Sequence, residues 1–316
     1  MLGAGGVLGE AWISGTLSGI EAAAALDFRR CEAFLGTSAG SIVAARLAAG
    51  LHPRKPSRSA RALIATADLK AEPAPLPRSV DAGQRSLAAT AATLTARAAV
   101  VAGRPLLPTV LRAGAPAGAL ARSLLLRTMP DGVETHADLR ARLRRLAAAF
   151  DGRLRIVAVD RRDGRRVVFG SPGSPGGPGG PEASVAEAVS ASCAIPGVFA
   201  PVTIGGREYV DGGLWSLTNL DAAPAGRDTR VLCLNPMAGT DGAALAALRA
   251  FARSRAAVEE QALRARGAEV TVIAPSRLAA AAIGRDPMDP GRRDLVLAAG
   301  HLQGLELASV PRTADF

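Results

Sequence analysis

Residues 32–50 read Glu32-Ala33-Phe34-Leu35-Gly36-Thr37-Ser38-Ala39-Gly40-Ser41-Ile42-Val43-Ala44-Ala45-Arg46-Leu47-Ala48-Ala49-Gly50. The short apolar run Glu32–Leu35 suits a buried strand. The alanine-rich run Ser41–Ala49 suits a helix, with Gly50 as its C′ residue. Between them lies Gly36-Thr37-Ser38-Ala39-Gly40, a G-x-S-x-G on a strand-to-helix turn. Such a turn lifts the serine Oγ clear of the backbone, and the flanking glycines permit the strained conformation. The helix that follows turns its first N–H groups toward any anion that develops there. Ser38 is therefore the candidate nucleophile, with Gly36, Thr37, Ala39 and Gly40 forming its elbow.

Outward from this turn, helical patterns alternate with strand patterns. Helices are predicted over Glu10–Leu26, Ser86–Ala102, Ala117–Leu126, Thr135–Phe150, Val185–Ser192, Ala243–Arg266 and Asp294–Leu307. Strands are predicted at Leu154–Val159, Arg165–Phe169, Arg207–Val210, Val231–Leu234 and Glu269–Ile273, the first two joined by a turn at Asp163-Gly164. The alternation predicts an α/β fold with a mostly parallel sheet covered on both faces. Residues 171–181 contain only Ser, Pro and Gly and read as a disordered surface loop. Met1-Leu2 is an abrupt opening for a glycine loop that a strand would normally precede. Either that strand lies upstream or it is vestigial.

The chain has 316 residues and a formal net charge of +10. Only Lys55 and Lys70 are lysines; the other basic residues are arginines. A basic protein invites a nucleic-acid reading, but there is one Tyr and no run of 5–8 Lys/Arg, so stacking platforms are scarce and a basic tract is lacking. The charge is also local: residues 51–130 carry 12 Lys+Arg against Asp68, Glu72 and Asp81, leaving the rest almost neutral. Cys31, Cys193 and Cys233 form no C-x-x-C pair, which fits a reducing compartment. The start shows no basic, apolar leader, and no apolar stretch reaches the roughly 18 residues of a spanning helix. A cytoplasmic protein is expected, with peripheral contact at the inner membrane face.

Two further motifs bear on Ser38. Gly3-Ala4-Gly5-Gly6-Val7-Leu8-Gly9 resembles a dinucleotide fingerprint but fails its spacing, because Leu8 stands where the third glycine belongs. Its bare amides suit an oxyanion hole instead. Tyr209-Val210-Asp211-Gly212-Gly213-Leu214 ends a strand in an aspartate, which is ordinarily a turn residue but could serve Ser38 as a base. The conventional base is histidine. His52 sits in a Pro-flanked basic loop and His136 in the charged opening of a helix, so His301 is the one triad candidate.

These pieces, in this order, resemble the patatin-like phospholipases. A fourth stretch adds to the match: Ser190-Ala191-Ser192-Cys193-Ala194-Ile195-Pro196-Gly197-Val198-Phe199-Ala200-Pro201 looks like that family's S-x-A-x-P-x-x-F-x-P run. The resemblance implies a single three-layer α/β/α domain over 1–316 and a serine lipid acyl hydrolase that uses no metal or cofactor. Within it, Ser38 would be the nucleophile and Asp211, of the Asp211-Gly212-Gly213 motif, the base, with no histidine. Gly5, Gly6 and Val7 would form the oxyanion hole, and Val185–Pro201 would pack behind the site. The substrate would be a lipid ester, and no nucleic-acid partner is expected. The loop departs from the family's G-G-G-x-[KR]-G, with Ala4 for the first glycine and Leu8 for the basic residue. That departure keeps a second reading open, a lipid-binding protein with weak or no catalysis.

The basic segment 51–130 follows the nucleophile helix, where an insert can cover the mouth of the site. It is expected to form a helical cap that meets anionic lipid, with Arg54, Lys55, Arg58 and Arg61 supplying attraction near 1 kcal/mol per charge. Leu106-Leu107 and Leu124-Leu125-Leu126 would supply apolar contact. Flotation with vesicles tests this: the protein should follow anionic vesicles and leave neutral ones, and equal binding to both would overturn the electrostatic cap.

Overall fold

The computed structural model describes residues 1–65, 119–238 and 246–309. Their helices are α1 (Gly6–Ala23), α2 (Ala39–Ala48), α3 (Arg58–Ala65), α4 (Ala119–Thr128), α5 (Ala137–Arg145), α6 (Val185–Ser192), α7 (Ala246–Ala265), α8 (Arg277–Ile283) and α9 (Arg293–Ala308). The strands are β1 (Phe34–Thr37), β2 (Leu154–Asp160), β3 (Arg166–Phe169), β4 (Val202–Ile204), β5 (Arg207–Asp211), β6 (Arg230–Leu234) and β7 (Glu269–Ile273). The predicted helix at 86–102 and the Leu106-Leu107 pair lie outside the described residues.

The sheet is mixed rather than mostly parallel. β1 and β2 are parallel, as are β6 and β7, whereas β3 and β5 both run antiparallel to β2, and β4 antiparallel to β5. The turn at Asp163-Gly164 makes β2–β3 a hairpin, which no parallel arrangement accommodates. The register reveals an unusual junction. β3 pairs with residues 156–159 of β2, overlapping the partners of both β1 (154–157) and β5 (158–160). One edge of a strand cannot serve two neighbours at the same residue, so β1 and β5 share the other edge, end to end. They approach from opposite directions, with Thr37 opposite Val157 and Asp211 opposite Ala158.

The strand expected upstream of the glycine loop is present at the very start of the chain. Leu2 bridges in parallel to both Gly36 and Leu234. Leu2 N donates to Leu35 O, Thr37 N to Leu2 O, Gly3 N to Leu234 O, and Leu234 N to Met1 O. Met1–Gly3 therefore joins β1 to β6 at the centre of the sheet, too short to show any periodicity.

α1 and α9 are packed unusually close. A Cβ on Gly15 would lie 2.2 Å from Leu297 O, and one on Gly19 2.1 Å from His301 O. From the other side, a Cβ on Gly304 would lie 2.2 Å from Thr16 O. The paired G-x-x-x-G spacings, Gly15/Gly19 and Gly300/Gly304, bring the two backbones together in a way that any side chain would prevent. Trp12 Nε1 and Gln303 Oε1 hydrogen-bond across this interface at 2.9 Å.

The segment expected to be a disordered loop is drawn as a regular ladder. Ser174 N donates to Ser171 O, Gly177 N to Ser174 O and Gly180 N to Gly177 O. In each turn Pro172, Pro175 or Pro178 precedes a glycine with φ near +75° (Gly173 +73°, Gly176 +76°, Gly179 +73°). Proline followed by a positive-φ glycine is the type II turn, so the three-residue period of the sequence becomes three successive turns.

The helix contact yields a stability prediction. Gly19→Ala must push α1 from α9 and should lose about 1–3 kcal/mol, as overpacked cores do. Gly226→Ala, which meets nothing within 4 Å, should leave stability unchanged. Denaturant midpoints of the two variants check it.

Candidate active site

The junction on β2 gathers the residues the motifs single out. At the end of β1 the chain leaves the sheet through Ser38, whose φ of 50° and ψ of −119° are strained for a side chain. Only glycine fits on either side of it: a Cβ on Gly36 would lie 2.4 Å from Ser41 Cα, and one on Gly40 2.0 Å from Leu2 O. The turn is then pinned by hydrogen bonds. Ser38 N donates to Ser192 Oγ at 2.8 Å, and Ser192 Oγ donates to Val157 O at 2.5 Å. Ser41 Oγ donates to Ser38 O at 2.6 Å. Thus the Ser192 run does more than pack behind the site, because its hydroxyl fixes the main chain of the elbow to β2.

At the end of β5 the chain leaves the sheet through Asp211, which caps the short 3₁₀ turn Gly212–Leu214. Its Oδ1 accepts from Gly213 N at 2.7 Å, and its own N–H donates to Ala194 O at 2.9 Å. Gly212 again has no room for a side chain, since a Cβ would fall 2.4 Å from Val157 O. Asp211 is buried, and burial pushes its carboxyl up to about 6; the Gly213 amide and the facing Ser38 side chain act the other way. Cys193 lies beside them, its Sγ 3.9 Å from Ser41 Oγ, and burial raises its thiol.

The glycine loop leads from the central Met1–Gly3 strand into α1. Gly3 N and Ala4 N are taken by Leu234 O and Leu217 O, and Leu8 N by Pro287 O. Among the described residues no acceptor takes the N–H groups of Gly5, Gly6 or Val7. These are the first amides of α1, where the helix dipole favours negative charge. Gly5 and Gly6 press on Pro236 and on Pro287–Met288, where a Cβ would come within 2.6–2.9 Å. Leu8 is fully buried in the core, so no cation stands at that position.

The histidines lie elsewhere. His301 Nδ1 is 2.8 Å from Ser18 Oγ, between α9 and α1, and does not pair with Ser38. A helical histidine at a tightly packed interface is a core residue, and the triad expectation fails on that contact. His136 stacks on Phe199 at 3.9 Å, with Nε2 3.0 Å from Cys193 O. His52 pairs with Glu21 at 3.1 Å on the surface. Glu21, Asp27 and His52 are the one trio among the described residues with ligand atoms within 4.8 Å of one another. Asp27 is already bound by Arg29 at 2.8 Å, and Glu21 accepts from Phe28 N.

The described ends of the basic segment divide. Arg54 pairs at 3.1 Å with the buried Glu10 of α1, which Arg293 of α9 also holds. Arg54 is thus a structural tie rather than a free surface charge. Lys55, Arg58 and Arg61 are exposed, while Ala60 and Ile64 of α3 are buried in the core that includes α9. Of the Leu124-Leu125-Leu126 run on α4, Leu126 is buried against Val159 and Val210, and Leu124 stays exposed. A shallow cleft between Leu126, Met129, Phe199 and Val210 is lined in part by the Ser190–Pro201 run, but neither Ser38 nor Asp211 opens into it.

Two residues absent from the motifs also reach the junction. Asn219 Nδ2 lies 3.1 Å from Thr37 Oγ1, 3.3 Å from Gly212 O and 2.6 Å from Ser216 O. Glu259 of α7 accepts from Thr218 Oγ1 at 2.6 Å and from Leu220 N at 2.8 Å, either side of that asparagine. No short pattern marks either residue, because each acts on positions far away in sequence.

No curated protein matches the sequence. A family model described as patatin-like phospholipase matches residues 1–224, which hold the glycine loop, the Ser38 elbow and the Asp211-Gly212-Gly213 turn. The family is one of lipid acyl hydrolases, and no described helix is long and apolar enough to cross a membrane. With more than two thirds of its length matched, the chain belongs to the patatin-like phospholipase family.

Proposed function

We propose that this protein is a serine lipid acyl hydrolase in which Ser38 and Asp211 act as a catalytic dyad on carboxylic esters of phospholipids or related lipids. The observation that carries the reading is the meeting of β1 and β5 on one edge of β2, which sets Ser38 and Asp211 at adjoining strand ends. In the proposed reaction Asp211 takes the proton of the Ser38 hydroxyl as Oγ attacks the ester carbonyl. The amides of Gly5, Gly6 and Val7 receive the developing oxyanion, each worth about 3 kcal/mol by comparison with other oxyanion holes. Collapse of the tetrahedral intermediate breaks the ester C–O bond, and Asp211 returns the proton to the leaving alcohol. Water, deprotonated by the same carboxylate, then attacks the acyl-enzyme and frees Ser38. Contact with anionic lipid through segment 51–130 is part of the proposal, supported by the exposed Lys55, Arg58, Arg61 and Leu63 around α3.

A base near 6 suits this role better than an ordinary aspartate, because it accepts a proton more readily while staying ionised at neutral pH. The chemistry is tested directly. A fluorophosphonate should label the wild-type chain and leave Ser38→Ala unlabelled. Asp211→Asn should lose ester hydrolysis by at least about 100-fold, the lower range for general-base loss. Hydrolysis by Asp211→Asn at the wild-type rate would remove Asp211 from the mechanism.

The raised carboxyl also gives activity and stability opposite pH trends. The kcat/KM profile should fall on the acid side with an apparent pKa of about 6, as the base becomes protonated. The folded value lies above the ordinary 3.8, so the buried acid stabilises the fold most when protonated. That contribution is complete below about 3.8 and is lost as pH rises through about 6. Comparing melting temperatures of wild type and Asp211→Asn from pH 4 to 8 checks the sign: the variant should gain on wild type as pH rises.

A further inference from the structure

We infer that Asn219 is the positioning residue that sets the Ser38–Asp211 separation, clamping the ends of β1 and β5 together through its side-chain amide. The inference rests on the serine acyl hydrolase reading. Where β1 and β5 meet, the backbone ladder is interrupted: both strands turn out of the sheet, one at Ser38 and the other at Asp211. Beyond their shared pairing with β2, among the described residues no backbone hydrogen bond crosses the gap to tie one strand end directly to the other. The Asn219 amide does so, with Nδ2 3.1 Å from Thr37 Oγ1 and 3.3 Å from Gly212 O. Each anchor is one bond along the chain from a dyad residue, Thr37 before Ser38 and Gly212 after Asp211.

The residue type fits the task. The two hydrogens of Nδ2 are shared among Ser216 O, the nearest acceptor at 2.6 Å, Thr37 Oγ1 and Gly212 O, and Asp, Ser and Thr offer no such pair on one atom. Asn219 is fully buried and has φ +50°, a left-handed conformation that asparagine tolerates better than other side chains. The Asn219 main-chain N–H donates to Ser216 Oγ at 3.2 Å, closing the loop that follows the Asp211 turn. The flanking residues are held from outside by one buried carboxylate, since Glu259 takes both Thr218 Oγ1 and Leu220 N. The clamp is thus seated against α7, and its geometry does not depend on substrate.

The experiment uses the full chain and a fluorophosphonate, following both the rate of labelling and its end point. Asn219→Gly keeps the left-handed backbone at ease and removes only the amide. The expected result is labelling to the same end point of one per chain, at a rate roughly 10- to 100-fold slower, the penalty for misplacing reacting groups by about an ångström. On an ester substrate kcat should fall by a similar factor with KM little changed. A wild-type rate in Asn219→Gly overturns the inference. So does a reduced end point with an unchanged rate in the reactive fraction, which is the signature of a residue that only supports folding. Thr37→Val, nearly isosteric and lacking one anchor, should slow labelling by a smaller factor, and decides the matter if Asn219→Gly does not fold. If the wild-type chain itself is not labelled, the hydrolase reading fails, and the inference with it.

Discussion

The interrupted edge of β2 is the constraint on which the rest of the structure depends. Two strands run toward each other along it and stop one residue apart, at Val157 and Ala158. Neither chain can continue, so each must leave the sheet within a residue or two, through a gap already lined by backbone. That crowding explains the glycines. Gly36 and Gly40 flank one exit and Gly212 lies on the other, and at each a methyl group would strike main-chain atoms. It also explains the conformation of Ser38, since a relaxed backbone would carry β1 onward into β5. Ser38 and Asp211 end up at the gap because it is the place where two strand ends, and hence two side chains from distant sequence, meet without an intervening ladder.

The same crowding sets the electrostatics. A carboxylate on an open strand end would be hydrated and ordinary. Asp211 instead sits among the backbone of β2, α6 and the glycine turn, with one amide at 2.7 Å to offset the loss of water. The Gly213 amide and the Ser38 side chain do not replace a hydration shell, and the acid therefore keeps its proton to a higher pH than an exposed aspartate does. The fold tolerates this because its other demands are met elsewhere, above all in the backbone-to-backbone packing of α1 on α9. The residues of the candidate site and those that pack α1 on α9 are largely separate sets, and Ser192 ties the first to β2 while Glu10, where Arg54 and Arg293 converge, ties the second together.

Local features of the fold were legible in the sequence wherever they repeat or punctuate. α6, β3, β6 and β7 lie within a residue of where their patterns put them, and the elbow is visible from its two glycines alone. The mixed sheet is not legible because strand direction leaves no mark in composition; the Asp163-Gly164 turn is the one sign of a hairpin. Met1–Gly3 shows no strand pattern, since a bridge of one residue has no period. The paired glycines of α1 and α9 are individually ordinary and gain meaning only when the helices touch. The ladder at 171–181 is encoded by a Pro-Gly step every third residue, which specifies a turn each time even in a segment whose composition alone resembles a disordered loop. Asn219 and Glu259 lie beyond reach for a different reason: the contacts to Thr37, Thr218 and Leu220 that give them meaning span 39 residues or more.

The central position of Met1–Gly3 has a consequence for how the chain comes to be folded. Met1–Gly3 hydrogen-bonds to Leu234 of β6, more than two hundred residues further along the chain. During synthesis β1 and β2 can pair as soon as both have emerged, but the strand between β1 and β6 keeps one edge bare until more than two hundred further residues follow. For that interval the glycine loop has no Leu234 or Pro236 to rest on, and the amides ahead of α1 have no fixed direction. Completion of the sheet and placement of the glycine loop are thus one event, timed by the arrival of β6, and a nascent chain shorter than that carries the Ser38 elbow without the loop fixed beside it.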